Sequence, residues 1–410
     1  MNVIVLVIDR LHAGFLGCYG NTWVATPHFN CLAAEGFVFD QAYVDHPDLN
    51  RLCRSWWSGR HCLARTAVQE EASLVQRFSR AGWTTTCLTD EPAVAEHTLS
   101  GGFDELIRVD AAEAKEMCAS ADETQLARFF AAATQWLEDA REPFFFWLHS
   151  RGMGGDWDAP WTFRQNYAQE DEAEPSRLVE PPCRYLTEAD DPDELWGLSQ
   201  AYAAQVTLAD ECLGGLREML DAEDLAKDTA LVVLGARGFP LGRNRRLGPI
   251  DQALYGELVQ TPWLMRLPDG LGEAGRSQCL VQPCDLAGTL LDLAGTATES
   301  TCGGRSLLPV VREDVLALGD CICLVGDGAE RALRTPAWYL RIGPAPQPGE
   351  GAPLPELYGK PDDHWEVNDV ADRCPEIVAA MQAAHDELAA SLATGVAVSA
   401  LDESLVSDLG

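Results

Sequence analysis

Residues 2–20 read NVIVLVIDRLHAGFLGCYG. Residues 3–8 are aliphatic without interruption, which suits a strand covered on both faces, as in the middle of a parallel sheet. The run is too short to cross a membrane and has no basic segment before it. It leads into Asp9, where a secretory leader would place small residues. It is therefore expected to be a buried first strand, and the protein to be cytoplasmic. Outward from it, short apolar runs alternate with helical stretches. Helices are expected at 26–35, 73–81, 123–140, 195–220 and 285–294, and strands at 84–88, 143–149, 230–234 and 261–267. This alternation indicates an α/β fold with a mostly parallel sheet flanked by helices. Residues 168–194 are acidic, carry Pro175, Pro181, Pro182 and Pro192, and are expected to form a surface loop. Beyond about residue 312 the strands crowd together, at 321–325, 329–334, 338–342 and 356–358, with a Pro/Gly-rich loop at 344–355 and a helix at 375–392. The expected organisation is an α/β domain over 1–312, a small C-terminal α+β domain over 313–395, and an acidic, frayed tail over 396–410.

Sixty-four acidic against 30 basic residues give the 410-residue chain a net charge of −34. Such a surface repels phosphate backbones and anionic lipid, so general binding to nucleic acid or to a membrane is excluded. A small basic pocket for an anion is not. Only Lys115, Lys227 and Lys360 are lysines, which leaves few candidates for lysine chemistry. The 14 cysteines are scattered and lack paired C-x-x-C spacing, so reduced core thiols are expected.

Several ordered stretches carry a resemblance. They are residues 2–20, Thr26-Pro27-His28 through Leu32-Ala33-Ala34-Glu35-Gly36, Ala42-Tyr43, Ser58-Gly59-Arg60, Ala81-Gly82-Trp83-Thr84-Thr85 and Gly102-Phe103-Asp104-Glu105. Thr261-Pro262, residues 285–295, Glu356-Leu357-Tyr358 and Trp365-Glu366-Val367-Asn368 complete the set. Together, over nearly the full length, the chain resembles the sulfatase family of the alkaline phosphatase superfamily. The resemblance implies that fold and a sulfuric ester hydrolase. It further implies a calcium-type divalent cation on oxygen ligands, basic residues on the sulfate, and a modified cysteine or serine as nucleophile.

Position by position, most of the set that the resemblance implies is missing. The first strand ends Asp9-Arg10 in place of two acids, so Asp9 is the only retained family ligand position. The nucleophile position falls on Leu49 and the motif arginine on Cys53. The lysine and histidine after the third landmark strand fall on Asp90 and Pro92, and the next histidine on Gly154. The second metal pair falls on Ala236 and Arg237, before the matching Gly238, and a further lysine falls on Asp251. The expectation is a non-hydrolytic homologue, a pseudoenzyme, with no cofactor. It would bind a small anionic ligand, a sulfated or carboxylated saccharide, or a protein partner or second copy of itself. The alternatives are an active sulfate or phosphate ester hydrolase with a rearranged site, and a structural subunit.

The replacements are rich in arginine. Arg10 and Arg237 take metal-ligand positions, Arg51, Arg54 and Arg60 lie on the former nucleophile segment, and Arg243, Arg245 and Arg246 follow the 230–234 strand. Strand ends converge in an open α/β sheet, so these arginines are candidate ligand-binding residues. One expectation is that Arg237 points into the vacated cation site and pairs with Asp9. Cys53 and His149 are the candidate catalytic residues, Cys53 as a low-pKa thiolate beside Arg51 and Arg54 and His149 as acid or base. With His12 and His61, His149 could instead ligate a transition metal. Asp156, Trp157, Asp158 and Trp161 could grip a sugar ring or pack as a loop.

Overall fold

In the computed structural model, residues 1–64, 72–111, 114–296, 304–344, 353–394 and 401–406 are described. The chain opens with β1 (Asn2–Ile8), α1 (Pro27–Ala34), β2 (Phe37–Ala42), α2 (Leu49–Ser58), α3 (Leu74–Arg80), β3 (Thr84–Thr89), α4 (Pro92–Ala95) and β4 (Glu105–Arg108). Next come α5 (Gln125–Glu138), β5 (Phe144–Ser150), α6 (Trp161–Gln165), β6 (Arg184–Tyr185), α7 (Pro192–Ala222), β7 (Thr229–Gly235), β8 (Arg246–Leu247), α8 (Gly256–Val259) and β9 (Trp263–Arg266). The last part holds β10 (Gly275–Val281), α9 (Asp285–Leu293), α10 (Leu308–Val311), β11 (Ile322–Val325), β12 (Arg331–Arg334), β13 (Trp338–Ile342), β14 (Pro355–Gly359), α11 (Pro375–Thr394) and α12 (Glu403–Val406).

The large sheet runs β10-β2-β9-β7-β1-β5-β3-β4. Strand β1 lies between β5 and β7 and is parallel to both; β3 continues the parallel set beside β5, and β4 beside β3. On the other side β9 is antiparallel to β7, and β2 to β9. The aliphatic run explains the central place of β1, since every residue of it is buried and a strand covered on both faces needs apolar side chains in both directions. Ile8 is level with Ser150 and with Gly235, so the residues leaving β1, β5 and β7 emerge side by side.

The chain divides into two compact units. The first comprises Met1–Asp40, Val75–Ile250 and Thr261–Arg276; the second comprises Gln41–Leu74, Asp251–Gln260 and Ser277–Gly410. The division is discontinuous and falls elsewhere than residue 312, because 41–74, 251–260 and 277–312 group with the C-terminal part. In the first unit, α7 is 31 residues long, about 46 Å at 1.5 Å per residue. Asp191 caps it and Pro192 starts it, the pairing that suits a helix N-terminus. In the second unit, β11-β12-β13-β14 form an antiparallel sheet whose buried Leu333, Trp338, Leu340 and Leu357 pack with Val378 and Met381 of α11.

Three expectations need correction. The tail is not wholly frayed: Leu405 is buried in the core of the second unit, and Trp338 Nε1 donates to the Ser404 carbonyl at 3.2 Å. Residues 396–400 and 407–410, and most of the 344–355 loop, lie outside the described residues. Segment 168–194 is not all surface, since Val179 and Leu186 are buried and Arg184–Tyr185 pairs with β8. Finally, α2, β4 and β10 are among the elements that lie outside the expected set. The 13 described cysteines are free thiols. No described helix is long and apolar enough to cross a membrane.

Candidate functional site

In the first unit the chain leaves β1 at Asp9-Arg10, β5 at Ser150-Arg151 and β7 at Ala236-Arg237. Asp9 is 2% exposed. Its Oδ1 accepts the Arg10 backbone N–H at 3.0 Å and Arg237 Nε at 3.1 Å, and its Oδ2 accepts Arg237 Nη2 at 2.5 Å. Arg237 thus forks onto Asp9 through two N–H groups, the planar match that arginine makes with a carboxylate. Burial opposes ionisation of Asp9, but the Arg237 guanidinium outweighs it and holds the carboxyl below its ordinary value; Arg10 acts in the same direction.

Arg10 sits at φ +62, a left-handed conformation that costs a residue with a Cβ about 1–2 kcal/mol. Its surroundings hold it there. Its N–H is taken by Asp9, its carbonyl accepts the Tyr202 hydroxyl at 2.6 Å, and its Nη1 donates to the Gly238 carbonyl at 3.3 Å. Strain of this kind concentrates at functional sites. Gly152 and Gly154 leave room for this arrangement. A Cβ on Gly152 would meet the Asp9 carbonyl at 2.5 Å, and one on Gly154 would meet Arg10 Cγ at 3.1 Å. A side chain at Gly154, where the resemblance implies a histidine, would press on Arg10.

His149 is fully buried one residue before the end of β5. Burial pushes its imidazole down to about 4; Asp9 pulls it up and Arg237 pushes it down further. It is neutral at physiological pH. Asp90, after β3, accepts the Arg151 N–H at 2.7 Å, and burial pushes its carboxyl up to about 6. With Ser150, Arg151, Gln125, Asp156 and Gln205 it borders a cavity of about 20 Å³, room for about one water.

The other candidates disperse. Arg245 reaches Glu188 at 3.6 Å, Arg246 Nη1 donates to the Asn244 carbonyl, and Arg243 is exposed in the turn before them. In the second unit, Arg51 is exposed and its backbone N–H is held by the Asp48 cap of α2. Arg54 Nη2 donates to the Ala64 carbonyl at 2.9 Å, and Arg60 is buried. Leu49 and Cys53 lie in α2, with Cys53 at 0% exposure. A buried thiol has neither the access nor the solvation that a reactive thiolate requires. His12 caps a short 3₁₀ turn, its Nδ1 accepting the Gly14 N–H at 2.8 Å. His61 instead meets Asp45 and Cys62 in the second unit.

The sugar-grip alternative also loses its residues to packing. Trp157 is fully buried and donates to the Met153 carbonyl. Asp158 takes the Gln125 N–H and Asp156 takes the Ala114 N–H. Trp161 lies under Arg177, 4.1 Å from the guanidinium carbon to the ring centre.

Residues 1–296 match the family model described as Sulfatase. Over 114 residues the chain is 31% identical to an N-acetylglucosamine-6-O-sulfatase of Bacteroides thetaiotaomicron, covering 28% of this chain and 20% of that protein. Over 130 residues it is 28% identical to the multifunctional alkaline phosphatase superfamily protein PehA of Trinickia caryophylli, covering 30% and 24%. The matches thus span about a fifth to a quarter of those relatives' length. Among solved structures, the phosphonate monoester hydrolase of Agrobacterium radiobacter aligns at a TM-score of 0.75 and 15% identity, over 95% of each chain. A 2-O GAG sulfatase aligns at 0.74 and 18%, over 97% of this chain and 94% of that one. At these identities the structural likeness is one of fold.

Proposed function

The chain belongs to the sulfatase family, and from that premise we propose that it is a non-hydrolytic member which binds an anionic ligand, such as a sulfated saccharide, without the family's metal-assisted turnover. The observation that carries this reading is the Arg237 fork on Asp9. A calcium-type ion needs several oxygen ligands. Of the positions the resemblance implies for it, Asp9 has hydrogen bonds on both oxygens, while Arg10, Ala236 and Arg237 offer no side-chain oxygen. An entering cation would also face two guanidinium groups. The donor set therefore does not fit such an ion, and no step is derived through one.

Arg237 supplies a fixed positive charge that satisfies Asp9 and ties the end of β7 to the end of β1. Arg10 is held beside it by its N–H on the Asp9 carboxylate and its Nη1 on the Gly238 carbonyl. Positive charge at this place, on a chain of net charge −34, favours an anion over a cation. A rearranged hydrolase built on Cys53 and His149 is disfavoured by the complete burial of both side chains. A cytoplasmic setting is part of the same proposal.

The test uses the full chain with added calcium. Calcium content is measured by elemental mass spectrometry, aryl-sulfate and aryl-phosphate turnover is assayed, and binding of a sulfated oligosaccharide is titrated. The proposal expects no stoichiometric calcium, no turnover, and saccharide binding that weakens with salt. Stoichiometric calcium with turnover overturns it, and so does saccharide binding indifferent to salt or absent.

A further inference from the structure

The second unit brings together Asp45, His61 and Cys62, of which His61 alone is a candidate metal ligand from the sequence. Asp45 follows β2, and His61 and Cys62 follow the Gly59-Arg60 turn at the end of α2. Asp45 and His61 are buried and Cys62 is half-buried. One ligand atom from each lies within 4.8 Å of the other two. We propose that Asp45, His61 and Cys62 form a binding site for a borderline-soft divalent transition metal of the zinc class, with a fourth position left open on the Cys62 side.

The hydrogen bonds around the three residues are those of a metal ligand set. His61 Nε2 lies 3.0 Å from the Cys323 carbonyl, to which only an N–H can donate. The tautomer is therefore fixed, and Nδ1 carries the lone pair. A ligating histidine is commonly oriented in this way, by its other nitrogen donating to a carbonyl. Nδ1 lies 3.7 Å from Cys62 Sγ. With Zn–S near 2.3 Å and Zn–N near 2.0 Å at a tetrahedral angle, two such ligand atoms stand about 3.5 Å apart. Asp45 uses one oxygen structurally: Oδ2 accepts the Ser55 hydroxyl at 2.6 Å and the Cys62 N–H at 2.8 Å. Its other oxygen, Oδ1, is buried and has no hydrogen-bond partner among the described residues. A buried polar atom left in that state is costly and uncommon, and a cation would satisfy it.

The nitrogen, oxygen and sulfur donors select the metal class. Thiolate and imidazole favour zinc over calcium or magnesium, and three protein ligands with one open position describe a four-coordinate site that is not closed. Binding exchanges two contacts. The Cys62 thiol, which donates to the Asp45 carbonyl at 3.6 Å, loses its proton to solvent as the S–metal bond forms, and the Leu63 N–H gives up its 3.2 Å bond to Nδ1.

The experiment strips the full chain with chelator, then adds Zn²⁺ or Co²⁺ with calcium omitted. Zinc retained after desalting is counted, and thiolate-to-cobalt charge-transfer absorption is recorded. One equivalent and a charge-transfer band are expected. Cys62→Ser should lose the band and weaken zinc binding by more than about 10-fold. Cys31→Ser, at an exposed thiol, should keep both. As a readout that needs no variant to fold, bound zinc should shield Cys62 of the unsubstituted chain from iodoacetamide while Cys31 and Cys183 stay reactive. Absence of stoichiometric zinc, a band that survives Cys62→Ser, or equal labelling of Cys62 with and without zinc overturns the site. None of these readouts depends on calcium, sulfate esters or saccharide, so this site and the anion-binding role stand or fall separately.

Discussion

Replacing Arg237 with methionine tests what holds the ends of β1 and β7 together. The Asp9 side chain is 3% exposed and that of Arg237 12%, so the pair is shielded from the solvent screening that makes surface pairs weak. Methionine keeps much of the volume but removes both N–H groups, which leaves a buried carboxylate without its fork. Breaking a buried pair in this way costs about 3–5 kcal/mol. At about 2–4 °C per kcal/mol for a unit of this size, the melting temperature should fall by about 6–20 °C. The loss should depend on pH. Because Arg237 holds the Asp9 carboxyl below its ordinary value, the pair's contribution is complete above the unfolded-state value near pH 4. It is lost as the pH falls through the lower folded-state value. In the variant burial acts alone, Asp9 takes up its proton at higher pH, and the gap to wild type narrows on acidification. Thermal unfolding by circular dichroism across about pH 4–8 measures both effects. Asp9→Asn combined with Arg237→Met should recover part of the loss, since no buried charge then remains. A pH-independent drop below about 2 °C would falsify the reasoning, because it would give the pair only the strength of an exposed one.

His149 should impose an acid-side slope on stability. Its folded value of about 4 lies below the unfolded 6.5, so stability is complete above about pH 6.5 and falls by about 3 kcal/mol as the pH drops to 4. Urea unfolding of His149→Gln should lack that slope; an unchanged slope would place its origin elsewhere. In the second unit, Arg341 reaches Glu330 at 3.0 Å and Glu356 at 2.8 Å, and Glu330 also accepts the Ala253 and Leu254 N–H groups. Arg341→Ala should lower stability by about 3–5 kcal/mol in chemical denaturation, and a change under about 1 kcal/mol would show that the network is not needed. Of the three lysines, Lys360 is buried against Glu366 at 3.0 Å, whereas Lys115 and Lys227 are exposed. An amine-reactive label followed by peptide mass spectrometry should mark Lys115 and Lys227 and spare Lys360 until the chain unfolds. Early labelling of Lys360 would contradict its burial.

The parallel core was legible because its signal is composition alone. The runs at β1, β5 and β7 are apolar in both directions, and only a doubly covered strand tolerates that. Strand β10 escaped notice because its first four residues are partly or fully exposed and polar, so the sequence shows neither a run nor a clean alternation. Helix α2 was missed because Arg51 and Arg54 interrupt its apolar positions. Its end signals were nevertheless present, as Asp48 caps it and Gly59 closes it in the left-handed conformation. The Asp9–Arg237 meeting could be anticipated from positions at neighbouring strand ends. The meeting of Asp45 with His61 and Cys62 could not, because it depends on how the turn after α2 folds back toward β2, a long-range placement that periodicity does not encode. Arginine counting also misled, since charge says nothing about which carbonyl or carboxylate each guanidinium will meet.

Helix α7 braces the loops of the first unit from behind. The Tyr202 hydroxyl donates to the Arg10 carbonyl and accepts the His12 N–H, Gln205 takes the Ala159 N–H, and Asp210 takes the His28 and Phe29 N–H groups. Every one of these bonds grips main chain, and none touches the side chains at Arg10 or Arg237. The mould is therefore blind to its contents. A lineage can rewrite the front of such a site one side chain at a time while the loops stay where the helix holds them, and the architecture can outlast the chemistry it once served.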